Sequence, residues 1–314
     1  MSARTTGAGA APGKVILFGE HAVVHGRPAV AAAIDRGLGA TAEPDPHGPV
    51  VRIPSWGRDG LVIRLGDKSR AFDAIARAFA LTLEIAGLDP KAQVGVTLEG
   101  ELPLGVGLGS SAAFAVATIR ALVDQQGRRL DDAALLAAAD RVESLFHGTP
   151  SGLDHTVVAL GGCLRYRKGA RLPYVPVRIA RAVPLVIAWT RRQGGTRDAV
   201  EQLRSRAAAH PSFYDRLFDA VSEIAEAGVD ALEAGDFETL GALFDLNHGY
   251  LNACGVSSPA NEEMVHLARR AGALGAKLTG AGCGGAIIAV APEPAPVVAA
   301  LEAAGYDAFA THVG

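Results

Sequence analysis

The chain has 314 residues, of which 49% are hydrophobic and 20% are charged, and its formal net charge is −3. This composition is ordinary for a packed globular protein and argues against a disordered chain. The slightly acidic balance and the lack of a basic run argue against a nucleic-acid-binding protein. Small-molecule partners are therefore expected.

Length and patterning set the broad organisation. A chain of this length usually folds into more than one domain, so two are expected. No uninterrupted apolar stretch approaches the roughly 20 residues of a membrane span, so no membrane partner is expected. Three cysteines without metal-type spacing suit a reducing compartment, which predicts a cytoplasmic protein. Residues 1–10 are predicted to be a loose leader and not a signal peptide. The sequence leaves a homodimer open.

The first half is predicted to contain several strands before its helices. Apolar and alternating runs predict strands at 15–18, 30–41, 50–53, 61–65 and 94–98. Helical periodicity dominates 112–124 and 131–146. The order of these elements indicates an α+β domain.

A proline-punctuated stretch at 172–183 separates the second half. It divides the chain into predicted domains at 1–176 and 177–314. The second half is predicted to form a strand at 185–189, helices within 197–234 and at 237–251 and 259–273, strands at 276–278 and 286–290, a helix at 296–304 and a strand near 308–312. This strand-helix-strand-strand-helix-strand skeleton with inserted helices indicates a ferredoxin-like domain.

The run 103–113, Pro-Leu-Gly-Val-Gly-Leu-Gly-Ser-Ser-Ala-Ala, lies between a predicted strand and a predicted helix. Alternating glycines let backbone N–H groups approach a ligand, and the start of the helix adds its positive dipole end. The run lacks the Gly-Lys-Ser/Thr of a Walker loop and the glycine spacing of a dinucleotide fingerprint. A plain tight turn is the alternative, but the Gly-Ser-Ser ending favours a phosphate cradle.

Two further segments accompany this loop. The run 11–26 reads Ala-Pro-Gly-Lys-Val-Ile-Leu-Phe-Gly-Glu-His-Ala-Val-Val-His-Gly, and 277–285 reads Lys-Leu-Thr-Gly-Ala-Gly-Cys-Gly-Gly. In order and separation, the three segments resemble the motifs of the GHMP kinase superfamily, named after galactokinase, homoserine kinase, mevalonate kinase and phosphomevalonate kinase. The runs 14–21 and 143–154 are most similar to those of mevalonate kinases. The resemblance covers nearly the whole chain, from 11 to about 290.

The resemblance implies a fold and an activity. The fold would be the GHMP kinase fold, with an N-terminal half like ribosomal protein S5 domain 2 and a ferredoxin-like C-terminal half. The activity would be ATP- and Mg²⁺-dependent phosphorylation of mevalonate to 5-phosphomevalonate. The implied ATP-binding residues are Pro103, Gly105, Val106, Gly107, Leu108, Gly109, Ser110, Ser111, Ala112, Gly280 and Gly282.

The same resemblance assigns roles to individual side chains. Ser111 and Glu143 would be the magnesium ligands, and Asp154 would activate the acceptor hydroxyl. Lys14 is expected to keep that carboxylate ionised and to steady the transferring phosphoryl group. Asp154 also suits a plain helix N-cap. Whether it removes the proton or only orients the hydroxyl stays open, because a loose transition state asks little of a base.

The substrate contacts implied by the resemblance are Glu20, His21 and Thr196. Many relatives carry an arginine close to this threonine, where this chain has Gly194 and Gly195. Arg192 and Arg197 are the candidates to replace it as the anchor of the substrate carboxylate.

Three other functions are alternatives to this one. Phosphomevalonate kinase and mevalonate diphosphate decarboxylase share the expected fold, but the block 143–154 matches the mevalonate kinase pattern better. A non-catalytic sensor of ATP and a metabolite is the third. The presence of Lys14, Ser111, Glu143 and Asp154 argues against a sensor, which has no need of all four.

Overall fold

A computed structural model describes residues 6–57, 59–66, 73–148, 150–190 and 196–314 of the chain. Contacts between residues group the chain into two units of three segments each. Unit 1 consists of Met1–Gly13, Arg36–Leu104 and Gly109–Gly161, and unit 2 of Lys14–Asp35, Gly105–Leu108 and Gly162–Gly314. This grouping does not test the domain boundary predicted at 176, which stays a prediction.

Strands and helices cover most of the described residues. The strands are β1 (Gly7–Phe18), β2 (Ala29–Pro44), β3 (Val50–Ile53), β4 (Leu61–Arg64), β5 (Val94–Gly100), β6 (Cys163–Tyr166), β7 (Tyr174–Pro176), β8 (Val183–Trp189), β9 (Gly275–Thr279), β10 (Ala286–Val290) and β11 (Asp307–Val313). The helices are α1 (Asp73–Ala86), α2 (Ser110–Gln125), α3 (Asp132–His147), α4 (Leu153–Leu160), α5 (Thr196–Ala209), α6 (Pro211–Ala234), α7 (Phe237–Ala253), α8 (Pro259–Arg270) and α9 (Pro294–Ala303). Within the described ranges, each helix is too short or too polar to traverse a bilayer.

The prediction of a loose leader is wrong for residues 7–10, which begin β1. Glycine here serves close packing and not flexibility. A Cβ atom added to Gly7 would lie 2.3 Å from the carbonyl oxygen of Ala121, and one added to Gly9 would lie 2.3 Å from that of Ala117. The strand therefore approaches the backbone of α2 in a way that a larger residue would prevent.

Unit 1 packs helices around α2. The second half of β2 pairs antiparallel with β5, which pairs in parallel with β3, and β4 pairs antiparallel with β3. α2 is buried along nearly its whole length, and α1 and α3 pack against it. α1 is an addition to the predicted elements, although Ile75, Phe79 and Leu83 recur at helical spacing on its buried face.

Unit 2 contains a four-stranded antiparallel sheet in the order β11-β8-β10-β9. This is the strand order of a ferredoxin-like fold, which the sequence predicts. α8 and α9 contribute Met264, Val265 and Leu301 to a core with Val186 and Ile287 of the sheet. The first half of β2 pairs with β6, which pairs with β7.

Candidate functional site

The predicted phosphate loop has the backbone that its glycines suggest. Gly105, Gly107 and Gly109 have φ angles of 73°, 92° and 79°, which other residues rarely adopt. In unit 2, the N–H of Lys14 donates to the carbonyl oxygen of Leu108 at 3.0 Å and fixes this part of the loop to β1.

The helix after the loop begins without a side-chain cap. Its N-cap is Gly109, which has no side chain, and the Gly109 carbonyl oxygen accepts from the N–H of Ala113 at 2.8 Å. Ser110 and Ser111 form its first turn, where backbone N–H groups and the helix dipole favour an anion. Unit 1 thus contributes a site suited to a phosphate group.

Ser111 lies near two residues of α3. The Ser111 Oγ is 3.2 Å from Nε2 of His147, which is 3.7 Å from Oε2 of Glu143. Glu143 is 1% exposed although it carries a carboxylate. α3 is held in place by Asp131, whose side chain accepts from the N–H of Ala134 and caps the helix. His147 was not among the predicted site residues, although its place four residues after Glu143 puts both on one helix face.

Asp154 is half-buried in the first turn of α4. The N-cap of this helix is Gly152, with a φ of 94°, and the Ser151 Oγ accepts from the N–H of Leu153. The alternative that Asp154 is an N-cap is therefore wrong. Its catalytic role stays a prediction.

Lys14 lies in β1 and is 2% exposed. Two residues later, Ile16 is held by Thr279 of β9. The Thr279 Oγ1 accepts from the N–H of Ile16 at 3.0 Å and donates to its carbonyl oxygen at 3.1 Å. These bonds fix the strand that carries Lys14 to the sheet of unit 2.

Glu20 forms a fully buried ion pair with Lys277 of β9. The other carboxylate oxygen of Glu20 accepts from Nδ2 of Asn247 at 3.3 Å, and the Lys277 ammonium also donates to the carbonyl oxygen of Leu278 at 2.8 Å. Burial raises the pKa of Glu20 and lowers the pKa of Lys277, while each charge opposes the shift of the other. The substrate contact predicted for Glu20 stays a prediction. The signal in the sequence is a lysine within the apolar run that predicts this strand. Lysine is almost never fully buried unless it is paired, so a buried partner is implied.

His21 is also buried, and its backbone φ is 62°. Its Nε2 lies 3.0 Å from the carbonyl oxygen of Ala281. A carbonyl oxygen only accepts, so Nε2 carries the proton and Nδ1 is left as an acceptor. Burial is the main cause that lowers the pKa of His21 to about 4, so the ring is neutral at physiological pH.

The other predicted substrate contacts are described only in part. Thr196 is the first residue of α5, and its contact with substrate stays a prediction. Arg192, Gly194 and Gly195 lie outside the described residues. The anchor of the substrate carboxylate is therefore still a prediction.

The second glycine-rich loop lies beside the first within unit 2. Gly280 and Gly282 have φ angles of 83° and 72°. A Cβ atom on Gly285 would lie 3.2 Å from the carbonyl oxygen of Val106, and one on Gly280 would lie 3.6 Å from that of Gly107. The two segments predicted to bind ATP in this unit are therefore neighbours.

Comparison with known proteins identifies relatives over nearly the full length. The model of the GHMP kinases N terminal domain matches residues 70–162, and that of the GHMP kinases C terminal domain matches 229–309. The chain is 37% identical to a mevalonate kinase of Thermococcus sibiricus, over 94% of this chain and 92% of the relative. It is 35% identical to one of Pyrococcus abyssi, over 96% and 94%. The crystal structure of L. major mevalonate kinase in complex with R-mevalonate superposes with a TM-score of 0.86 and 29% identity, over 99% and 97%.

Proposed function

The chain belongs to the GHMP kinase family, and we propose that it catalyses the ATP-dependent phosphorylation of mevalonate to 5-phosphomevalonate. The observation that carries the proposal is the cluster of Ser111, His147 and the buried Glu143 beside the uncapped start of α2. Phosphoryl transfer needs a phosphate cradle and a nearby anionic group that holds a cation. The full-length relatives named mevalonate kinases support the choice of acceptor.

Magnesium suits the oxygen atoms at this cluster. Mg²⁺ takes hard oxygen ligands and usually needs only one or two from the protein, with water and phosphate supplying the rest. The Ser111 hydroxyl and the Glu143 carboxylate are such ligands, and a buried carboxylate is stabilised by a cation. When bound, the ion would neutralise charge that develops on the phosphates. Ser111 and Glu143 would hold it, and the α2 start would orient the phosphate oxygens.

Replacing Glu143 by glutamine tests this assignment. The variant keeps the size of the side chain but removes the anionic ligand, so half-maximal activity should require about tenfold more magnesium. The helix should persist, because glutamine forms helices as well as glutamate. Magnesium titrations of initial rate are the measurement, with Asp140→Asn on the exposed side of the same helix as control. An unchanged titration would place Glu143 outside the metal shell.

The remaining roles follow the chemistry of the acceptor. Asp154 would accept or orient the acceptor hydroxyl, and the ammonium of Lys14 would stabilise charge on the transferring group. His21, neutral and tied to Ala281, would offer Nδ1 to the substrate. A cytoplasmic location agrees with the three cysteines, which are free thiols. A homodimer stays a prediction.

The choice between mevalonate and phosphomevalonate is the decisive test of the proposal. A phosphorylated acceptor needs several cationic groups beside it, since an unpaired phosphate is costly to bury. Lys277 cannot serve as one of these cationic groups, because its side chain has no exposed surface and is paired with Glu20. We expect kcat/KM for mevalonate to exceed that for phosphomevalonate by at least about a hundredfold, or about 2.7 kcal/mol.

Purified protein should be assayed for ADP release with mevalonate, phosphomevalonate, homoserine and galactose. Comparable values for the first two acceptors, or a preference for phosphomevalonate, would contradict the proposed substrate and leave the family membership intact. Release of carbon dioxide from mevalonate diphosphate would instead indicate the decarboxylase.

A further inference from the structure

The loop 280–285 contains a run of left-handed residues that is not made of glycine alone. Gly282, Cys283, Gly284 and Gly285 have φ angles of 72°, 56°, 115° and 73°. Glycine adopts such angles without strain, whereas a residue with a Cβ atom does not. Cys283 therefore holds an unfavourable backbone conformation inside the loop predicted to bind ATP.

Two hydrogen bonds hold the backbone at and after this residue. The N–H of Cys283 donates to the carbonyl oxygen of Val256 at 2.6 Å. The N–H of Gly284 donates to Oδ1 of Asn261 at 3.2 Å. A strained conformation persists only where its surroundings fix it, and these bonds supply that constraint.

Asn261 also belongs to the capping box at the start of α8. Its N–H donates to the Oγ of Ser258, and its Oδ1 accepts from the N–H and the hydroxyl of the same serine. One carboxamide oxygen thus joins a helix N-terminus to the glycine-rich loop. The side chain is fully buried.

The amide nitrogen of Asn261 lowers the stability of the folded protein. Within the residues that the structure describes, Nδ2 of Asn261 is buried and has no hydrogen-bond partner. A buried unsatisfied donor lowers stability, but an apolar side chain here would also leave the N–H groups of Ser258 and Gly284 without the acceptor that Oδ1 supplies. Ser258 alone is sufficient to cap α8 by accepting from the N–H of residue 261. Asparagine at this position therefore serves both the capping box of α8 and Gly284, and its bond to Gly284 is the one that reaches the glycine-rich loop.

We propose that Asn261 is a positioning residue for nucleotide binding, which holds loop 280–285 in its ATP-binding conformation by fixing the strained segment at Cys283. This inference rests on the proposed function, because it takes the loop to contact the phosphates of ATP. It adds to that function a residue of α8 that lies 19 positions before the loop begins.

Three variants separate positioning from capping. Asn261→Leu removes the bond to Gly284 together with the bonds that Oδ1 accepts from Ser258. The Kd for ADP, measured by calorimetry without acceptor, should rise about fivefold to tenfold. Ser258→Ala removes the serine cap but keeps the bond to Gly284, so it should change this Kd less than about twofold. Asn261→Asp keeps the acceptor oxygen next to a helix N-terminus, where an anion is favoured, and should also bind ADP as the wild type does.

Stability gives a second, independent readout. The urea midpoints of Asn261→Leu and Ser258→Ala should both be lower than that of the wild type, since each variant loses part of the capping box of α8. A rise in the Kd for ADP that is confined to Asn261→Leu would therefore not follow from lost stability. Asp236→Ala, which removes the N-cap of α7, is a matched control for the general effect of losing a cap. It should lower the midpoint and leave ADP binding unchanged.

The role of Cys283 is tested by a double-mutant cycle. Glycine adopts the left-handed conformation without help, so Cys283→Gly should reduce the effect of Asn261→Leu on the Kd for ADP to less than about twofold. An equal effect in both backgrounds would overturn the link to Cys283. Equal ADP affinities for Asn261→Leu and Ser258→Ala would overturn the positioning role. Failure of the proposed function is distinct, because the wild-type protein would then phosphorylate no mevalonate before any variant is compared.

Discussion

Replacing Asp154 by asparagine should lower kcat for mevalonate by at least about a hundredfold, the lower range for a positioned acid or base. The variant keeps the shape of the side chain and its place in the first turn of α4. It loses the negative charge that would attract the proton of the acceptor hydroxyl. The Kd for ATP should hardly change, since the nucleotide is assigned to other residues.

Asp132 provides the matched control. It is also an aspartate in the first turn of a helix, α3, and it is exposed. Asp132→Asn removes the same favourable interaction with a helix dipole, worth about 0.3–1 kcal/mol, without touching the predicted chemistry. If Asp154→Asn retained near-normal kcat, or if it lost ATP affinity with normal turnover, the assigned role would be wrong.

Replacing Lys277 by methionine should lower the free energy of unfolding by about 3–5 kcal/mol. The substitution leaves the Glu20 carboxylate buried without its cation, and neither side chain of the pair has exposed surface. Equilibrium unfolding in urea measures the loss. The double variant Glu20→Gln with Lys277→Met removes both charges and should recover most of it, because two neutral groups carry no unpaired charge.

A surface ion pair gives the comparison. Arg141 and Glu84 lie 2.8 Å apart, but their side chains are 54% and 68% exposed. Glu84→Gln should therefore cost at most about 1 kcal/mol. If Lys277→Met lowered the free energy of unfolding by as little as Glu84→Gln does, water would have to reach the Glu20 carboxylate, contrary to its burial.

Sequence patterns predict the elements of regular structure well where the pattern is local. The strands 50–53 and 286–290 are confirmed with the same bounds, and the strand order of unit 2 agrees with the predicted ferredoxin-like skeleton. The start of β1 is different. In the sequence alone, its glycines are typical of a flexible leader. Their role is explained by close contact with α2, which joins residues more than a hundred positions apart.

The residues of the candidate site show the same difference between local and distant contacts. Gly105, Gly107 and Gly109 are identified by a motif, because their backbone conformation is a local property of the loop. The partners of Glu20, His21 and Gly284 could not be predicted. Each hydrogen bond joins residues that are distant in sequence, and only the packing of the sheet of unit 2 brings them together.

The composition of unit 2 limits how this protein can be divided into fragments. This unit includes Lys14–Asp35, from near the start of the chain. In that segment Glu20 pairs with Lys277, and Ile16 forms hydrogen bonds with Thr279. The segment also contains the part of β2 that pairs with β6. A recombinant piece that starts at Gly162 would contain Lys277 without its counter-ion and β6 without β2. Chimeras between relatives that exchange only their C-terminal halves should therefore express poorly. Exchanging the N-terminal segment together with the C-terminal half should restore soluble protein.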